Sequence, residues 1–282
     1  MSELSGIVLN LDEQIYHAHD SLSSTGARKL LNSPARFDYD RKHPQEHKAA
    51  FDLGTATHSK VLGTGSTAVA YPEDHLTPAG NVSTKAATVV WADEQRANGL
   101  TPISPADMRA VDAMAESVLA HPIARELFEQ AGDPEASVFA TDPDSGVGMR
   151  ARFDFLPNFT QTNPYTVDLK TTGKSAAPDE FAKTVANFGY HIQQEWYLHA
   201  YGIATGDFRA RMQFVVVETA APHLVGVYEL APEFAEIALA RVRKALATYA
   251  ACSTADKWPG YAINNDPIQP PNWLIYQEGI DL

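Results

Sequence analysis

The amino-acid sequence predicts an α/β (α+β) fold, a central mixed β-sheet flanked by helices. Three observations predict it: a pair of strand-like runs joined by a strong turn signal, a second strand pair around residue 215, and amphipathic helical segments before, between and after them.

Taken in order, residues 21–37 place Leu22, Leu30, Leu31 and Phe37 among Ser24, Arg28, Lys29 and Arg36, a short amphipathic helix expected to stop near Ser33-Pro34. The stretch FDLGTATHSKVL, residues 51–62, reads as a helix carrying Leu53, Ala56, Val61 and Leu62. Residues 63–90 are rich in Gly, Thr, Ser and Pro, with little periodicity, and are expected to form a long loop or mobile flap. At 104–120, Ser104 caps a helix, Pro105 occupies its first turn, and Met108, Val111, Ala115, Val118 and Leu119 make its apolar stripe. Residues 135–141 and 147–156 read as strands of a hairpin, because Asp142-Pro143-Asp144-Ser145-Gly146 supplies the turn. Residues 165–170 give a third strand, and 178–205 a helical pattern interrupted near 187–189. Strands at 211–218 and 224–230 and an Ala-rich helix over 232–251 complete the pattern. The tail 258–282 contains Pro259, Pro267, Pro270 and Pro271 and is expected to run extended; the whole chain is expected to form one domain.

Composition narrows the function. With 282 residues and 44% hydrophobic content, the chain can bury a sizeable core. No stretch approaches the roughly 18–20 apolar residues that span a bilayer, and the N-terminus lacks the basic and apolar regions of a signal peptide. A cytoplasmic protein without a membrane partner is therefore expected. The single cysteine, Cys252, excludes a disulfide framework and a thiolate zinc or iron–sulfur site, so a metal must sit on oxygen and imidazole. No glycine-rich dinucleotide or Walker signature is present, which removes support for hydride transfer or nucleotide phosphotransfer. The balance of 22 Lys and Arg against 35 Asp and Glu gives a net charge of -13. That runs against gripping polyphosphate over a broad surface, unless a local basic groove or metal ions neutralise the phosphates.

The chemistry concentrates between Arg150 and Thr172. Asp154 lies near the end of one strand and Asp168-Leu169-Lys170 near the end of the next, so adjacent strands bring them close. Alternation puts Asp168 and Lys170 on one face with the Leu169 carbonyl between them. Two carboxylates and a carbonyl suit a hard divalent ion, Mg2+ or Mn2+, and Lys170 can orient or help deprotonate an attacking water while stabilising developing charge. Taken alone, D-x-K on a strand is more often just an exposed ion pair, since the tripeptide is short. A lone helical histidine such as His58 is more often a surface or core residue than a ligand, but Gly54, Thr55 and Ala56 before it suit a helix packed closely on that sheet. Gln193 and Tyr197 share a helix face and are suitable donors to a phosphate or water, or else belong to an amphipathic surface. Glu135 either reaches the metal cluster or is a strand-edge charge.

Leu53 to His58, Glu135, Arg150 to Asp154, Asp168 to Thr172 and Tyr190 to Tyr197 together resemble the RecE-type exonucleases, in the RecB-like branch of the PD-(D/E)XK nucleases. The similarity extends over most of the chain, from Tyr16-His17 to Asp256-Lys257-Trp258-Pro259. It implies a PD-(D/E)XK core and a Mg2+-dependent exodeoxyribonuclease that degrades the 5'-ended strand of duplex DNA. The product is a 3' single strand for a single-strand annealing protein in phage or prophage recombination, within the host cytoplasm if the chain is phage-encoded. It also implies a homo-oligomeric ring. His58, Asp154 and Asp168 match the family's metal ligands, Lys170 its catalytic lysine, Gln193 and Tyr197 its helix motif, and Glu135 matches less well. Asp168 replaces the Glu of many relatives. Arg28, Lys29, Lys85, Arg150, Arg152, Lys174 and Lys183 are candidates for phosphate contact. The alternative is a catalytically weak DNA-binding or phage accessory protein that has kept the fold.

Overall fold

The computed structural model describes residues 4–43, 49–158, 164–261 and 267–271, together with Leu274 and Gln277. Its elements, in chain order, are β1 (Gly6–Val8), α1 (Glu13–Ala18), β2 (Leu22–Ser23), α2 (Ser24–Asn32), α3 (Pro34–Lys42), α4 (Ala49–Leu62), β3 (Thr67–Ala70), α5 (Ala86–Ala97), β4 (Leu100–Ile103), α6 (Pro105–Ala120), α7 (Pro122–Glu129), β5 (Gly132–Thr141), β6 (Gly148–Pro157), β7 (Tyr165–Thr172), α8 (Pro178–Phe188), α9 (Tyr190–Thr205), β8 (Arg211–Glu218), β9 (Val225–Tyr228) and α10 (Pro232–Ala255).

The central sheet is mixed, in the order β1-β5-β6-β7-β8-β9, with β2 pairing alongside β6. All neighbours on that path are antiparallel except β7 and β8. Alternation along β8 explains how one sheet feeds two cores: Met212, Phe214 and Val216 enter one, Val215 and Val217 the other. The first core lies under α2, α9 and α10, around Leu30, Trp196 and Val242. The second lies under α4 and α6, around Ala56, Val111 and Met114.

Residues 63–90 are not a featureless loop. They contain β3, which pairs in parallel with β4, a short 3-10 turn at Glu73–His75, and the start of α5. Tyr71 and Trp91 pack with ring centroids 4.8 Å apart, giving this small unit apolar contacts of its own. The first helix stops at Ser33-Pro34, as expected, since α2 ends at Asn32 with Ser33 as its C-cap. Ser33 caps a new helix through its hydroxyl and Pro34 occupies the first turn, where a missing N–H costs nothing, so α3 continues to Lys42. The interruption expected near 187–189 is real: Gly189, at φ +68°, separates α8 from α9. The described part of the tail beyond Trp258 carries no strand; its remainder lies outside the described residues.

Candidate active site

The site forms where the sheet's regular pairing fails. In the β5–β6 ladder, Pro134 pairs with Phe155 and Ala136 with Phe153, but no pair joins the intervening Glu135 and Asp154. Glu135 has φ +54°, a left-handed conformation that costs a non-glycine residue about 1–3 kcal/mol. At the same point β6 changes the side it feeds: Met149, Ala151 and Phe153 enter the first core, whereas Phe155 enters the second. Beyond it β6 and β7 share a single pair, Phe155 with Val167. The strands therefore part at Asp154, and its carboxylate replaces the missing ladder partner by accepting the Leu169 N–H at 2.7 Å.

Helix α4 delivers His58 to this gap. Its Nε2 lies 2.7 Å from the Leu169 carbonyl and 3.2 Å from Asp154 Oδ2, while Nδ1 lies 2.8 Å from the Gly54 carbonyl. Two carbonyls can be satisfied together only by a ring that donates from both nitrogens, the imidazolium. Burial opposes that charge, but Asp154, the hydrogen bond to it and the Gly54 carbonyl outweigh burial and push the pKa up to about 9. Gly54 lies over Thr171, yet an added Cβ would sit 3.7 Å from Thr171 Oγ1, an ordinary contact. The sheet therefore does not force a glycine there.

Asp168 and Lys170 do share a face of β7, and their side chains form a close ion pair. Asp168 is 1% exposed and accepts from Gln193 Nε2 at 2.5 Å. Helix α9 holds Gln193 there because Gly189 turns the chain sharply; a Cβ on that glycine would meet Arg28 Cδ at 2.9 Å. Burial lowers the Lys170 pKa, but Asp168 and Asp154 outweigh it and hold the amine above its ordinary value. Burial raises Asp154 too, against a larger combined pull from His58 and Lys170 that keeps it ionised below its usual value. For Asp168, burial and the neighbouring Asp154 push the carboxyl up, with Lys170 opposing. Burial, then Asp154, push Glu135 up to about 7, against Arg152 and His58.

A cleft of about 1060 Å³ opens over these groups, with His58, Glu135, Lys170, Tyr190 and Gln193 in its wall. Arg28 and Arg152 reach it, but Arg150, Lys85 and Lys174 do not line it. Both arginines are also engaged internally. Arg28 donates to the Phe188 carbonyl and to Thr25 Oγ1, and Arg152 to Ser137 Oγ and the Leu11 carbonyl. Arg150 donates to the His17 carbonyl and, like Arg152, stacks on Tyr16, with guanidinium-to-ring distances of 5.3 and 4.3 Å. Lys29 pairs with Asp40 and Lys183 with Glu180, so neither is an uncommitted cation. Tyr197 shares the α9 face with Gln193 but does not line the cleft; it lies edge-on to Phe153 at 5.1 Å.

A model of the family described as "PDDEXK-like domain of unknown function (DUF3799)" matches residues 23–269. The chain belongs to this family. Among solved structures, a protein from Eubacterium rectale described provisionally as an exonuclease is similar over 96% of this chain and 98% of its own, at 10% identity and a TM-score of 0.62. That likeness shows the fold. A phage-related exonuclease from Haemophilus somnus also matches, over 86% of this chain and 98% of its own, at 11% identity and a TM-score of 0.33. An alkaline exonuclease from Laribacter hongkongensis matches over 73% and 94%, at 13% identity and a TM-score of 0.28. No curated protein matches. The PD-(D/E)XK core read from the sequence is thus the core this PDDEXK-like chain has.

Nucleases of this fold generally use divalent metals. Among the described residues no three His, Cys, Asp or Glu side chains are already gathered as a cation cage, because His58 turns to Leu169 and Asp168 to Gln193 and Lys170. The donors nevertheless fit a hard ion. Asp168 Oδ2 is buried without a hydrogen bond of acceptable geometry, and the imidazolium of His58 supplies positive charge between Asp154 and the Leu169 carbonyl, as a cation would. The Gly54 carbonyl holds Nδ1–H, so loss of the other proton frees Nε2 as a ligand.

Sequence reasoning missed two supports of the site: the Gly54 carbonyl and the Tyr16 ring under the arginines. Backbone acceptors leave no mark in a sequence. Tyr16 is marked only by its place beside His17 in the resemblance, and its position under the arginines depends on packing that the sequence does not display.

Proposed function

We propose that the chain is a metal-dependent exodeoxyribonuclease that hydrolyses phosphodiester bonds at the ends of duplex DNA. The observation that carries this reading is the convergence of His58, Asp154, the Leu169 carbonyl, Asp168 and Lys170, of which His58 and Lys170 line one cleft and the others lie against them. His58, Asp154, Asp168 and the Leu169 carbonyl would hold a divalent ion, Mg2+ or Mn2+. When bound, that ion supplies Lewis acidity and positive charge to the scissile phosphate.

The remaining work falls to the chain. Lys170, held protonated between two carboxylates, orients the attacking water and stabilises charge developing on the phosphate oxygens. Its raised pKa favours this role over that of a base. Gln193 fixes the rotamer of Asp168 through one carboxylate oxygen, and the other, which pairs with Lys170, is the one the ion would share. Glu135, with a carboxyl that titrates near neutrality, stands at the rim as a proton carrier or additional ligand. We further propose 5'-to-3' digestion, a ring-shaped homo-oligomer, and 3' single strands passed to an annealing protein.

The net charge of -13 and the internally committed arginines favour a second reading, a weakly catalytic DNA-binding or phage accessory protein. One assay separates the two. Purified protein is incubated with linear duplex labelled at either the 5' or the 3' terminus, and with closed circular DNA, with and without Mg2+. Loss of linear DNA alone, only with metal, is expected, and the order of label release reports polarity. Absence of turnover with both Mg2+ and Mn2+ overturns the enzymatic reading.

A further inference from the structure

Phe188 is 56% exposed although it is the last residue of a well-packed helix. An isolated surface phenylalanine is unremarkable, but this one is the outer member of an ordered series. Its ring stacks on Tyr190 at 5.9 Å and 20°, and Tyr190 in turn stacks on Phe214 at 6.1 Å and 19°. The Lys170 ammonium lies 5.0 Å from the centre of the Tyr190 ring, and both line the cleft, so Phe188 stacks on the outer side of a ring that belongs to the cleft wall.

The backbone that carries the ring is held in place. The Phe188 carbonyl receives a guanidinium hydrogen bond from Arg28, and the left-handed Gly189 that follows leaves no room for a side chain against Arg28. An exposed aromatic face beside Arg28, which lines the cleft with Lys170, is a surface on which an unpaired nucleobase can stack, because every base offers a π-face while its phosphate seeks positive charge.

We infer that Phe188 is a stacking platform for the terminal, unpaired nucleobase of a DNA end whose phosphate enters the cleft. The inference rests on the nuclease reading for the identity of the ligand. It assigns to Phe188 a positioning role, and stacking predicts tolerance of base identity with dependence on the ring.

The test uses linear duplexes carrying 2-aminopurine at the terminal position of one strand or the other. Binding is followed by polarisation and base stacking by fluorescence, in Ca2+ and in EDTA; turnover in Mg2+ is measured on the same duplexes. Wild type and Phe188→Trp are expected to quench the terminal 2-aminopurine. Phe188→Leu, which keeps apolar bulk without a ring, is expected to lose the quenching and to bind DNA ends about tenfold more weakly, with an unchanged melting temperature. Its KM should rise while kcat on saturating substrate stays near wild type. Equal quenching by wild type and Phe188→Leu, or none by wild type, overturns the platform. Wild-type turnover in Mg2+ is scored independently, so loss of the platform and loss of the nuclease reading are distinguishable.

Discussion

Asp168 and Glu135 are held in opposite ways, and each gives a distinct expectation. Asp168 is ion-paired with Lys170 in a buried setting, so removing the carboxylate leaves an ammonium with less compensation, at a cost of about 3–5 kcal/mol. Asp168→Ala is therefore expected to melt earlier as well as to lose activity. Asp168→Asn retains volume and a partner for Gln193; it should abolish metal-dependent hydrolysis with a smaller loss of melting temperature. Lys170→Met should lower kcat by about 10²–10³-fold if the ammonium stabilises the transition state. For Glu135, the strained φ predicts that Glu135→Gly gains about 1 kcal/mol, seen as a rise in melting temperature of roughly 2–4 °C. Because the same substitution removes the carboxyl, falling activity in that more stable variant would mark Glu135 as functional, and Glu135→Gln, which keeps the strained backbone, separates the carboxyl from the strain. The carboxyl also gives a pH signature. Its folded pKa is raised from 4.5 to about 7, first by burial, so its stabilising share is full below about pH 4.5 and is lost as pH rises through 7. In EDTA, the melting temperature of Glu135→Gln minus that of wild type should grow between pH 4.5 and 7 and then level off. A flat difference would contradict the burial of that carboxyl.

At the scale of elements, the strands that carry the site were legible because their signals are local. Apolar runs bounded by the Asp142–Gly146 turn define β5 and β6, and the helical interruption near Gly189 separates α8 from α9. The spacing of Asp168 and Lys170 fixed their common face, which their ion pair bears out. What sequence could not give was the parting of β6 from β7, since it depends on one left-handed residue in the neighbouring strand. Ser33-Pro34 marked the end of α2, and the same pair starts α3, a second helix the apolar pattern did not announce. In 63–90, β3 is only four residues long and its partner β4 lies beyond the segment, so pairing rather than pattern makes the strand. Gly189 permits a test of element placement. Gly189→Ala puts a Cβ 2.9 Å from Arg28 Cδ at φ +68°, with an expected cost of at least about 1–2 kcal/mol. Turnover should fall with stability, because α9 carries Gln193. Unchanged activity would mean that the Asp168–Gln193 contact is dispensable.

For the whole molecule, the net charge of -13 has to be reconciled with a polyanionic substrate. Arg28, Arg150 and Arg152 spend hydrogen bonds on backbone carbonyls, so the arginines predicted as phosphate contacts are in part structural. Affinity for DNA in metal-free buffer should then rest on few phosphate neutralisations. Each released counterion contributes about -0.9 to the slope of log K against log salt, so a slope shallower than about -4 is expected. Repulsion from the acidic surface weakens the complex as ionic strength falls and screening is lost, flattening the dependence further. A divalent ion held by Asp154 and Asp168 works in the other direction, adding local positive charge where the phosphate enters. Binding of linear duplex, measured with EDTA and with Ca2+ across a range of monovalent salt, should be tighter with the divalent ion, and Asp168→Asn should remove most of that difference. A slope near -8 in EDTA would instead require a broad cationic surface and would count against a cleft whose charge is largely supplied by its ion.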